Sequence, residues 1–78
     1  KYNIFLYYQN LDTMATIGEN IKRLRTKQGL SQDDLARKAE LKYSTLAKIE
    51  GDFVTKPGVQ MVAKIAKALG VSVEDLLK

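Results

Sequence analysis

The sequence predicts an all-α domain of five short helices, and three observations carry that expectation. Helix-start signals recur at Thr16, Ser31 and Ser72, each followed three residues later by an acidic side chain that can reach back to the cap: Glu19, Asp34 and Asp75. Apolar residues after these starts repeat at helical spacing, most clearly Val62, Ile65, Ala66 and Leu69 at i, i+3, i+4 and i+7. Glycines stand where the periodic stretches end, at Gly29, Gly51 and Gly70.

Helix one begins after Thr16, carries the stripe Ile17, Ile21 and Leu24, and stops at Gly29. Helix two starts at Gln32, with Leu35 and Ala39 on one face and Ala36 small enough to let another helix cross closely. Helix three buries Leu46 and Ile49 and leaves Tyr43, Ser44, Ala47 and Lys48 outward; Gly51 is expected to end it with positive φ. After a loop at 52–56, Pro57 suits the first position of helix four, which Gly70 closes. In the last helix Leu76 and Leu77 are both expected to turn toward the core.

With 78 residues there is room for one core. Lysine and arginine outnumber aspartate and glutamate by 13 to 9, and the resulting +4 is a mild electrostatic case for an anionic partner. The chain has no cysteine, which excludes disulfides and thiolate metal sites and agrees with a reducing cytoplasm. It has no histidine, so the usual general base near neutral pH and the commonest metal ligand are missing. The adjacent carboxylates Asp33-Asp34 and Glu74-Asp75 lie in first helical turns, where they serve the helix dipole. Gly29-Leu30-Ser31 lacks the lysine and further glycine of a phosphate loop. No enzyme activity, catalytic residue, metal or cofactor is therefore expected, and no apolar run has the length of a membrane span.

The letters of these helices resemble a known family. Ile21-x-x-Leu24-Arg25, Gly29-Leu30-Ser31-Gln32-x-x-Leu35-Ala36, Leu46-x-x-Ile49-Glu50 and Ile65-Ala66-x-Ala68-Leu69-Gly70-Val71-Ser72 are similar to the Cro and lambda-repressor type of helix-turn-helix domain, the XRE family of transcriptional regulators. The resemblance covers residues 17–77 and implies a five-helix lambda-repressor-like fold in which helix three lies in the major groove of DNA.

Carried over position by position, the resemblance assigns base contacts to Tyr43, Ser44, Ala47 and Lys48. Lys48 suits guanine O6 and N7, Ser44 suits several bases, and Ala47 allows close approach. Tyr43 suits either a thymine methyl or a phosphate. Phosphate contacts fall to Gln32, Lys42, Thr45 and Lys56. Arg25 and Glu50 read as a structural ion pair that ties helix three to the scaffold.

Three positions depart from the family. Glu40 stands where the turn between helices two and three usually has glycine, so it is expected to hold a left-handed conformation at about 1–2 kcal/mol. Lys42 replaces the usual capping residue of helix three. Phe53 and Val54 occupy a loop where basic residues are common.

Residues 14–78 form the expected domain, and residues 1–13 an extension. Within it Tyr2-Asn3-Ile4-Phe5-Leu6-Tyr7-Tyr8 has high strand propensity; it is upstream or vector-derived sequence, a strand paired with a second chain, or a clasp on the domain. The resulting expectation is a cytoplasmic transcriptional repressor that binds double-stranded DNA as a homodimer. The alternatives are the antitoxin of a toxin–antitoxin pair, with a toxin as protein partner, a restriction–modification controller protein, and an interaction adaptor that has lost DNA binding.

Overall fold

Five helices follow one another along residues 16–77, the part of the chain that the computed structural model describes: α1 Ile17–Lys27, α2 Gln32–Lys38, α3 Tyr43–Glu50, α4 Val59–Leu69 and α5 Val73–Leu77. The expected strand at residues 2–8 lies outside the described residues. The three capping boxes form as read. The Thr16 hydroxyl accepts from the Glu19 N–H while Glu19 Oε1 accepts from the Thr16 N–H, both at 3.1 Å. Ser31 with Asp34 and Ser72 with Asp75 repeat the exchange at 3.0–3.2 Å.

The core draws on every helix. Ile21, Leu35, Leu46, Ile49, Ile65 and Leu76 are fully buried, and Ala36 and Ala66 are buried in the same cluster. Removing any of the larger side chains costs about 2–5 kcal/mol in transfer and cavity terms. This packing fixes α3, a helix too short to hold its shape alone.

Three local expectations are corrected. Gly51 has φ −87°, and the left-handed residue is its neighbour Asp52, at φ 64°. The reversal falls one residue later because the Phe53 and Val54 N–H groups return to the Lys48 carbonyl, while Asp52 Oδ1 accepts from the Thr16 hydroxyl at 2.7 Å. Aspartate tolerates that conformation better than most side chains. Helix α4 starts at Val59 with Gly58 as its N-cap, so Pro57 ends the loop instead of opening the helix. Leu77 is 62% exposed; the last turn brings Leu76 alone into the core.

Glu40 does hold φ 59°, with the Leu41 N–H returning to the Ala36 carbonyl at 2.8 Å. Lys42 is the N-cap of α3 and supplies no side-chain hydrogen bond.

Candidate nucleic-acid interface

Helix α3 has two differently treated ends. At its C-terminal end Glu50 is buried and receives Arg25 in a forked pair, Nε to Oε2 at 2.7 Å and Nη2 to Oε1 at 3.0 Å. Arg25 also donates through Nη1 to the Leu30 carbonyl at 2.7 Å, so a single guanidinium joins α1, the loop before α2, and α3. A planar fork with three of its donors fixed suits arginine and would not suit lysine.

The same carboxylate extends the tie outward. Glu50 Oε1 accepts from Gln32 Nε2 at 2.9 Å, and Gln32 Oε1 accepts from the Tyr43 hydroxyl at 3.0 Å. Gln32 therefore bridges the start of α2 to both ends of α3. It is half-buried and holds protein partners at its oxygen and one amide hydrogen, which leaves a second amide hydrogen free to meet an anion.

Along the outward face of α3 the side chains stand as the helical spacing requires. Tyr43 is 53% exposed, Ser44 and Lys48 are exposed, and Ala47 and Thr45 are half-buried. Lys42 is exposed at the helix entrance, so the first-turn N–H groups lack a side-chain acceptor and point toward the surface that carries a lysine. Lys56 is exposed in the loop before α4.

Several positioning residues are not among those the sequence singled out. Gly18 is buried where α1 crosses α3, and a methyl group there would collide with the Ile49 carbonyl. Asn20 is 1% exposed and donates to the Leu76 carbonyl at 2.8 Å, while Gln28 donates to the Leu69 carbonyl at 2.7 Å. A signal for Asn20 existed: it lies inside the stripe of Ile17, Ile21 and Leu24, where a polar residue must find a buried partner. Among the described residues no group of His, Cys, Asp or Glu could hold a metal ion, and no helix is long and apolar enough to cross a membrane.

The sequence profile of the helix-turn-helix family matches residues 21–76, from within α1 to within α5. The chain belongs to this family, in its XRE-type branch. It is 41% identical over 61 residues to the HTH-type transcriptional regulator SinR of Bacillus subtilis, covering 78% of this chain and 55% of that protein. It is 39% identical over 62 residues to the immunity repressor protein of Bacillus phage phi105, covering 80% of this chain and 42% of the repressor. The chain thus spans about half the length of the curated relatives it matches. Its fold superposes on the crystal structure of SinR, the master regulator for biofilm formation, in complex with DNA. The TM-score is 0.77 at 40% identity, over 80% of this chain and 98% of that one.

Proposed function

We propose that this chain is the DNA-reading domain of a transcriptional repressor, with α3 seated in the major groove. The observation that carries the reading is the division of α3: its inner face is fixed by Leu46, Ile49 and the Arg25–Glu50 fork, while Tyr43, Ser44 and Lys48 face solvent. The resemblance to a regulator crystallised on DNA supports it.

In this reading Lys48 donates to guanine O6 and N7, and Ser44 donates to or accepts from a base edge beside it. Ala47 keeps the helix close to the groove floor. Tyr43 is held by Gln32 before any DNA arrives, so its ring loses little freedom on binding. Gln32 offers its second amide hydrogen to a phosphate while keeping Tyr43 in place. Lys42, Thr45 and Lys56 complete the backbone contacts, which set register and carry no sequence information directly. Two copies on half-sites about one helical turn apart would double the surface read. The place of action is the cytoplasm, where bacterial DNA is read.

Selection of bound duplexes from a random DNA pool tests this. A two-fold symmetric motif should emerge, and affinity for it should fall steeply with salt because phosphate contacts release counterions. A folded protein that enriches no motif would move the reading to an interaction adaptor, for which the 85% exposed Phe53 would then be the first contact to examine.

A further inference from the structure

On the side of the domain formed by α1, α4 and α5 lies an apolar groove of about 300 Å³, lined by Ile17, Pro57, Val59, Val62, Val73 and Leu77. Neither α2 nor α3 contributes to it. Val59 is 83% exposed and Leu77 62%, which is unusual placement for side chains of this kind gathered around one concavity.

We propose that this groove is the docking site of the chain's own N-terminal run, residues 2–8. The connection is favourable. Ile17 lines the groove and directly follows Thr16, where the described chain begins. Residues 9–15 form the tether, and seven residues at about 3.3–3.6 Å each reach roughly 23–25 Å, ample for a return to a groove at the point of entry. Their composition suits a solvated link, with Gln9, Asn10, Asp12 and Thr13 among them.

The chemistry matches as well. Tyr2-Asn3-Ile4-Phe5-Leu6-Tyr7-Tyr8 contains no charged side chain and is apolar or aromatic at every position except Asn3. The groove wall is predominantly apolar. Size favours a short segment over a second copy of the domain. A stable dimer covers on the order of 800 Å² per partner, more than one notch with three exposed apolar side chains supplies. Docking here covers Val59, Val73 and Leu77, hides an aggregation-prone run, and leaves the outward face of α3 free. The proposal does not depend on DNA reading.

Methyl and amide NMR spectra of the full chain and of a chain starting at Met14 test it. In the full chain the methyl signals of Val59, Val73 and Leu77 should be shifted, show contacts to aromatic ring protons of residues 2–8, and stay unchanged on tenfold dilution. Phe5→Ser and Leu6→Ser in the full chain should move the same signals toward their positions in the shorter chain, which keeps the test open even if that chain folds poorly. Identical groove signals in all chains would overturn the proposal. Shifts that fade on dilution would overturn it too, by showing that a second copy occupies the groove.

Discussion

The two ends of α3 differ in what holds them. Glu50, at the C-terminal end, is buried under a forked arginine that also grips the Leu30 carbonyl, and the helix passes so close to α1 that only glycine fits at position 18. Tyr43, at the N-terminal end, has one hydrogen bond to a half-buried glutamine and no side-chain cap beneath it. The neighbouring α2 shows that a full cap was within this sequence's means, since Ser31 and Asp34 close its first turn reciprocally. The contrast teaches that α3 is anchored from behind and below, and that its leading turn is left with open donors for something outside the chain.

The anchored end should break most severely. Arg25→Ala or Glu50→Ala leaves a charge buried without its partner, at about 3–5 kcal/mol, whereas replacing both should cost less than the sum. Chemical denaturation of the three variants checks this; additive losses would mean that the pair is not coupled. Glu50→Ala also releases Gln32 from its carboxylate acceptor, so it should loosen Tyr43 in ring-proton relaxation, an effect at the opposite end of the helix.

A smaller break is expected at the crossing. Helix propensity favours Gly18→Ala by about 1 kcal/mol, yet the added methyl must push the Ile49 carbonyl aside, at a typical overpacking cost of about 1–3 kcal/mol. A net loss in thermal stability is the expected outcome. A net gain would show that α1 and α3 can separate without penalty.

The cap of α2 gives the smallest effect and a pH signature. The Ser31 backbone N–H, then its hydroxyl, and the charge of Arg37 hold the Asp34 carboxyl below its ordinary value of 3.8. Between the folded and unfolded values the unfolded chain binds more protons, so the stabilisation is present above about pH 4 and is lost as pH falls through the lower folded value. Acid titrations of stability should therefore be flatter in that window for Asp34→Asn than for the parent chain.

These contrasts also mark what was legible in the sequence. Caps and apolar periodicity were readable because each is decided within a few residues, whereas the left-handed Glu40 was readable only through the glycine that the resembled family usually has there. Arg25–Glu50 was readable only through the family resemblance, since its partners are 25 residues apart. Gly18, Asn20 and Gln28 escaped because their reasons for being there lie on distant segments: the Ile49, Leu76 and Leu69 carbonyls. The turn after α3 was misplaced by one residue because glycine was given the positive φ by type, whereas the Thr16–Asp52 hydrogen bond favours the aspartate. Gln32 was read as a phosphate ligand; its role in the unbound chain is to link Glu50 and Tyr43.

The central claim, that the outward face of α3 specifies while its supports position, is tested most directly by one paired measurement. Lys48→Ala and Gln32→Ala are each titrated, at fixed salt and with helical content checked, against the selected duplex and against random DNA. Lys48→Ala should lose about 1–3 kcal/mol on the selected site and much less on random sequence. Gln32→Ala should weaken random-sequence binding more than Lys48→Ala does, with any extra loss on the selected site reporting the release of Tyr43. Equal losses on both duplexes for Lys48→Ala would place that residue among the backbone contacts and contradict the account.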